Sequence, residues 1–331
     1  MKIDLPNLAK KASLVKKVAG AALTATIAMG LVSMPASANA GDEHYVLISH
    51  APDSDSWWNT VKTAVKDAER DFQVKVDYRN PSTGDLADMA RLVQQAAATN
   101  PDGIVVSIAD YDVLKPAIAN AVKKGIPVIT INSGNHEQSE ALGAEFHVGQ
   151  PEYDAGFGAG KRAKAAGVKN FLCVNHYFTN AASVERCQGF AAGLGTELGG
   201  DSQMIDSGQD PTDIAKRVQA FLRKNPNTEA ILTLGPTSAD PTIRLLEKMR
   251  LGGKIYFGTF DLSADIAQAI EDDVISFAID QQPYLQGYLP IMALTLKSRY
   301  GIGIPNHINT GPGFVTKENL AIVKAEAGVH R

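Results

Sequence analysis

The stretch YVLISHAPDSDSWWNTVKTAVKDAERDFQVKVDY, residues 45–78, decides how the chain folds. It opens on a short apolar run, Tyr45–Ile48, crosses a polar turn, continues as an amphipathic segment from about Trp57 to Phe72, and returns to an apolar run at Val74–Tyr78. Short apolar runs bounded by turn residues read as buried strands, and the 3.6-residue apolar period between them reads as a helix. The unit then repeats. Leu86–Thr99 has the helical pattern, Ile104–Ser107 the strand pattern, Val113–Lys123 the helical one and Val128–Ile131 the strand one. Further strands are expected near Phe171–Val174, Met204–Ser207, Ala230–Thr233, Ile255–Gly258 and Ser276–Asp280, with a long helix over Tyr284–Tyr300. Unbroken alternation of this kind predicts an α/β protein with doubly wound parallel sheets.

Punctuation divides the pattern in two. Gly149-Gln150-Pro151 interrupts it after a fifth strand, and Gln281-Gln282-Pro283 interrupts it again, so both are expected chain crossings between lobes. A first lobe over 41–148 plus 281–309 and a second over 149–280 plus 310–331 follow. No low-complexity linker is present, so a hinge of short crossings is expected rather than a tether.

The amino-terminal segment reads separately. Lys2, Lys10, Lys11, Lys16 and Lys17 stand against one acid, Asp4; an uncharged apolar run from Val18 to Met34 follows, and Ala38-Asn39-Ala40 has the form of a cleavage site. Residues 1–40 are therefore expected to be a removed signal peptide, and the mature chain an exported periplasmic protein. Its removal leaves 27 Lys and Arg against 35 Asp and Glu, a formal charge of −8 over 291 residues. That balance argues against a nucleic-acid partner. Cys173 and Cys187, fourteen positions apart, are expected to form a disulfide in an oxidising compartment. The seven His are scattered without HxxxH or HExxH spacing, and neither a metal site nor a cofactor is expected.

The chemistry concentrates at predicted strand ends, where doubly wound sheets bind ligands. The loop His50-Ala51-Pro52-Asp53-Ser54-Asp55-Ser56-Trp57-Trp58 holds both tryptophans of the chain. An indole face can cover the apolar face of a sugar ring while Asp or Asn side chains hydrogen-bond its hydroxyls. The competing structural account makes one of these tryptophans a core residue, with Ser56 as helix cap.

On these residues the mature chain resembles the type 1 periplasmic binding proteins of the ribose- and galactose-binding class, over essentially its whole length. In that family the first strand's loop ends in a polar residue, one intervening residue and an aromatic pair, here Asp55, Ser56, Trp57 and Trp58. After the fourth strand the family usually carries Asp-Arg, where this chain has Asn132 and Ser133, a departure that replaces two charges with neutral groups. The segment from Asn180 to Phe190 is similar to the helix whose arginine reaches ligand, which implies that role for Arg186; a surface salt bridge to Glu185 or Asp210 is the structural alternative. Gly258-Thr259-Phe260-Asp261 resembles the family's Gly-Phe-Asp turn, whose aspartate accepts from sugar hydroxyls, against a capping role for Asp261 in the following helix. Gln281 matches the family's glutamine at the crossing, Thr237 is expected to reach the ligand ahead of Asp240, and Asp210 occupies a loop near it or caps a helix.

The resemblance implies two lobes closing on a monosaccharide or polyol, an importer's membrane permease subunits as partners, and no catalysis. A monomer suits such a clamp. The nearest rival keeps the binding role with an inositol, an amino sugar or a sugar-like signalling molecule as cargo. That rival rests on a net negative pocket formed by Asp55, Asp210 and Asp261 with only Arg186 opposing them. An α/β enzyme acting on a sugar is disfavoured by the lack of a Gly-x-Ser-x-Gly elbow or a complete nucleotide loop. Gly156-Phe157-Gly158-Ala159-Gly160-Lys161 only superficially resembles such a loop and is better explained by small residues packing a helix against a sheet. A repressor's effector domain would need a basic DNA-reading headpiece in place of the export signal.

Overall fold

The computed structural model describes residues 41–200 and 202–331. The expected signal peptide, residues 1–40, lies outside the described residues.

The first half alternates strand and helix: β1 (His44–Ile48), α1 (Trp57–Phe72), β2 (Lys75–Arg79), α2 (Leu86–Ala98), β3 (Gly103–Ser107), α3 (Tyr111–Lys123), β4 (Val128–Ile131), α4 (His136–Leu142) and β5 (His147–Gly149). The second half repeats it with α5 (Glu152–Ala165), β6 (Phe171–Asn175), α6 (Ala181–Leu194), β7 (Gln203–Asp206), α7 (Pro211–Lys224), β8 (Ala230–Thr233), α8 (Pro236–Lys248), β9 (Tyr256–Phe260), α9 (Ala264–Glu271) and β10 (Phe277–Asp280). A long α10 (Pro283–Tyr300) and two short strands, β11 (Ile308–Asn309) and β12 (Gly313–Val315), follow.

These strands form two sheets with the same internal order, β11-β5-β4-β3-β1-β2 and β12-β10-β9-β8-β6-β7. Every strand pair is parallel except β10 with β12. Parallel strands covered by helices on both faces must be apolar throughout, and the all-buried β3 (GIVVS) and β6 (FLCVN) obey that rule. The chain leaves the first sheet at Gly149–Glu152, returns at Asp280–Pro283, where α10 packs on α1, and leaves again between β11 and β12.

Local chemistry moves several boundaries. Asp110 accepts from the backbone N–H of Val113, so α3 starts at Tyr111, two residues before its apolar face begins. At α1, Ser56 has helical backbone angles and makes no capping bond; Asp55 Oδ1 accepts from Trp57 N–H instead. The short strands β11 and β12, two and three residues long, have no periodic pattern to announce them.

The expected disulfide is formed between Cys173 on β6 and Cys187 on α6, with Cα atoms 5.9 Å apart. It pins α6 to the sheet beneath. The glycines of α5 have a different partner from the expected one: they face helix α6 rather than the sheet. A methyl group at Gly160 would lie 2.1 Å from the carbonyl oxygen of Phe190, and one at Gly189 would lie 2.1 Å from that of Tyr153. Backbone touches backbone, and no side chain larger than hydrogen fits between the two helices at these positions.

Candidate functional site

In both sheets the loops at the carboxyl ends of the strands converge on one cavity, which holds about 410 Å³ of empty space. The first sheet supplies its wall from the β1 loop (His50, Asp55, Trp57 and Trp58) and from the β4 end (Asn132 and Ser133). The second supplies His176 and Tyr177 after β6, Asn180, Ser183 and Arg186 from the start of α6, Thr237 after β8, and Asp261 after β9. Gln281, at the second crossing, closes the end.

Nine of the ten residues expected at the site are thus brought together. Asp210 is not: it is exposed and caps α7, accepting from the N–H groups of Thr212 and Asp213. Of the other rival pair, Thr237 lines the cavity while Asp240 is turned away and accepts from Ser263 Oγ at 3.0 Å.

Asp55 is held from both sheets. Its Oδ1 takes the N–H of Trp57, and its Oδ2 takes the Tyr177 hydroxyl at 2.9 Å. Burial pushes its carboxyl above the usual range, and those two donors oppose the shift. Asp261 sits in the left-handed region with φ of 63°, and its Oδ1 accepts from Gln281 Nε2 at 2.8 Å. It does not cap α9, because Ser263 does. Burial pushes Asp261 up to about 7, against the opposing pull of Arg186 and Gln281.

Asn132, also left-handed at φ 59°, donates to Gln281 Oε1 and Gln286 Oε1 and accepts from the Ser133 hydroxyl. Asn and Asp tolerate this conformation better than other non-glycine residues, which helps place short polar side chains at strand ends. Asn180 caps α6 through its Oδ1, leaving its Nδ2 to donate across the cleft to Ser133 Oγ at 3.0 Å.

Arg186 has neither of the partners expected for a surface pair. Its Nε and one terminal nitrogen each lie 2.7 Å from an oxygen of Glu152, the other terminal nitrogen donates to the Leu234 carbonyl at 3.0 Å, and the guanidinium lies over the Phe260 ring. Burial works against its charge, but Glu152 outweighs it and holds the guanidinium above its ordinary value. The cavity's lone cation among the described residues is therefore already committed to a carboxylate behind it.

The aromatic wall is continuous. Trp57 (8% exposed) and Trp58 (2%) meet edge to face at 4.9 Å, and His50 packs edge-on between Trp58 and Tyr177. Both tryptophans are core residues and both line the cavity, so the two accounts of them hold together. The Trp57 Nε1 is buried with no partner at hydrogen-bonding geometry, although it sits close enough to Asp261 to favour its ionised form. Burial, with Arg186 nearby, holds His50 down at about 4 and His176 at about 3, so both rings are neutral at pH 7. Together these groups can grip a small, neutral, multiply hydroxylated ring: flat apolar cover on one side, donors and acceptors around its edge.

His50, His176, Tyr177, Asn180, Ser183 and Glu152 were not among the expected site residues. His176 and Tyr177 follow β6 directly, so the strand-end rule that identified Asp261 reaches them too. Glu152 has no such signal.

The sequence matches the periplasmic binding protein domain family over residues 45–299. A carbohydrate transporter from Acidothermus cellulolyticus, solved in complex with myo-inositol, is similar with a TM-score of 0.80 and 31% identity, covering 86% of this chain and 97% of its own. A xylose/arabinose-binding protein of Sulfolobus acidocaldarius is 24% identical over 83% of this chain and 71% of its own. The ribose import binding protein of Bacillus subtilis is 28% identical over 65% of this chain and 67% of its own.

Proposed function

The chain belongs to the periplasmic binding protein family, and on that premise we propose that it is the cargo-binding component of an ABC-type sugar importer, holding a monosaccharide or cyclic polyol between two lobes. The observation that carries this reading is the cavity itself, walled on one side by an aromatic surface and ringed by fixed Asp, Asn, Gln and Arg groups from both sheets. Hydroxyls entering it meet preset partners, and an analogue lacking one leaves a buried group unsatisfied, at a cost of about 1–3 kcal/mol. The relatives' cargoes, xylose or arabinose, ribose and myo-inositol, support a small cyclic polyhydroxyl compound as cargo.

On this proposal, residues 1–40 direct export to the periplasm and are removed. The lobes are 41–148 plus 281–309 and 149–280 plus 310–331, hinged at the three crossings. The protein acts as a monomer and performs no catalysis. Cross-cleft bonds such as Tyr177 to Asp55 and Asn180 to Ser133 belong to the closed arrangement. Opening breaks them, and the importer's permease subunits distinguish the two shapes.

The test is a thermal-shift screen of the mature protein against pentoses, hexoses, inositols, sugar alcohols and amino sugars. A true cargo at a hundredfold excess over its Kd raises stability by about 2.7 kcal/mol. No shift with any neutral member would overturn the reading. An amino sugar outperforming its neutral counterpart across pH 6 to 9 would select a second reading, which the commitment of Arg186 to Glu152 favours: Asp55 and Asp261 then face the cavity without a cation of their own.

The protonation of Asp261 supplies a further expectation. In the empty protein the buried carboxyl keeps its proton to about pH 7, while the unfolded chain gives it up near 3.8. Its contribution to stability is thus present at low pH and is lost as pH rises toward 7. Cargo hydroxyls donating to the carboxylate favour the ionised form. Affinity for a neutral cargo is expected to rise with pH between 5 and 7 and level off above, with a proton released on binding. Titration calorimetry in two buffers of different ionisation heat reads that proton directly; proton uptake, or a flat profile, would show that Asp261 does not accept from cargo.

A further inference from the structure

A second cavity, of about 800 Å³, lies at the first crossing between the sheets. It is lined from the first sheet's side by Glu137 and His147, at the crossing by Gln150, and from the second by Glu152, Asp154 and Glu185. We propose that this cavity is a site for a small organic ammonium ion, distinct from the cargo cavity and coupled to it through Glu152.

The argument starts from two buried side chains. Thr130 donates its hydroxyl hydrogen to Ser139 Oγ at 2.8 Å, so toward His147 Nδ1, 2.9 Å away, it can only accept. The ring proton of His147 is therefore on Nδ1, and Nε2 presents a bare lone pair. Burial, with His136 and His307 nearby, holds that ring down at about 3, so it stays neutral. His147 is 1% exposed, and its Nε2 has no partner. Gln150 repeats the situation: its amide nitrogen donates to Glu152 Oε2 at 2.9 Å, while its Oε1, in a residue 2% exposed, has no partner. Two unsatisfied acceptors thus belong to one cavity. Each costs about 1–3 kcal/mol if left so.

The charges lack the same thing. Four carboxylates line the cavity, and no Lys or Arg does. Glu152 alone has a partner, Arg186 behind it. Burial and the charge of Glu152 raise the pKa of Glu185, the mark of an uncompensated carboxyl. His136, which also lines the cavity, is held below its usual range by burial and by His307 and so supplies no steady positive charge. What fits is a cation that carries several hydrogen-bond donors. A coordinated metal ion fits less well, because among the described residues no three His, Cys, Asp or Glu side chains converge closely enough to hold one. An alkylammonium group, or a short diamine, directs its N–H bonds to separated acceptors and needs no such convergence.

The location gives the site a consequence. Its walls come from both sheets, so an ammonium ion held there favours the lobe arrangement that forms the cavity. Glu152 joins the two sites physically, since the Arg186 it holds is a wall of the cargo cavity. Coupling is reciprocal: cargo raises affinity for the cation by the same factor that the cation raises affinity for cargo.

The probe is 1,4-diaminobutane, titrated by calorimetry into the mature protein at low salt, with 1,4-butanediol as the uncharged control. The diamine is expected to bind one to one and the diol not at all. Asp154→Asn with Glu185→Gln, both partly or wholly exposed and outside the cargo cavity, should weaken the diamine by about tenfold or more, roughly 1.4 kcal/mol. Asp261→Ala, which strikes only the cargo cavity, should leave diamine binding within about twofold. Diamine binding abolished by Asp261→Ala but untouched by the double variant would mean that the amine occupies the cargo cavity and would overturn the proposal. Zinc binding with no diamine binding, or no heat at millimolar diamine, would overturn it as well. Each of these results leaves the sugar screen free to succeed or fail independently.

Discussion

Replacing Asp261 with alanine is expected to weaken cargo binding by at least about a hundredfold. A buried carboxylate accepting from cargo hydroxyls makes charge-assisted bonds worth about 1.5–3 kcal/mol each, and two of them account for that loss at 1.4 kcal/mol per decade. The substitution also strands Gln281 Nε2, which donates to Asp261 at 2.8 Å. Because the residue sits at φ 63°, alanine adds backbone strain that asparagine largely avoids. Asp261→Asn therefore separates charge from geometry. It should keep the unliganded melting temperature close to the parent's while still losing most of the affinity, as read by calorimetry and thermal unfolding together. A loss smaller than about threefold in both variants would remove Asp261 from the cargo contacts.

Removing Glu152 should have its largest effect on stability. Arg186 is buried, and two of its three nitrogens depend on that carboxylate. Breaking a buried pair by deleting one partner leaves an uncompensated charge, at about 3–5 kcal/mol. Glu152→Ala is expected to lower the denaturant midpoint by that amount, with Glu152→Gln intermediate because the amide oxygen still accepts. The double variant Glu152→Ala with Arg186→Met should recover much of the loss, since no guanidinium is then stranded. A double variant no more stable than the single one would show that packing around Glu152, rather than the orphaned charge, sets the cost.

How much of this was legible beforehand depended on whether the cause was local. The alternation from Tyr45 onward announces both sheets because burial on two faces forces apolar runs, and the loops carrying Asp55, Trp57, Trp58, Asn132 and Asp261 lie where those runs end. Asp210 misled because Asp-Pro-Thr-Asp suits a helix start as well as a ligand loop, and the helix claims it. Ser56 misled for the converse reason: the cap came from the residue before it. Glu152 was invisible, being 34 positions from Arg186 and brought to it only by the packing of α5 on α6. The same packing explains why the glycine-rich stretch Gly156–Gly160 looked like a phosphate loop. Small residues serve close approach of any kind, and the sequence does not say what approaches.

The contact between α5 and α6 also bears on how such a receptor can be re-targeted. On the first sheet's side, the cavity wall is made of side chains that can be exchanged singly, each with its own hydrogen bonds. On the second, Glu152 and Arg186 ride on helices whose main chains touch at Gly156, Gly160, Gly189 and Gly193, where even one added carbon collides. Adaptation to a new cargo, in nature or by design, should therefore accumulate in the His50–Trp58 loop and at Asn132 and Ser133. The glycine seam stays unchanged, a fixed chassis against which the variable wall is cut.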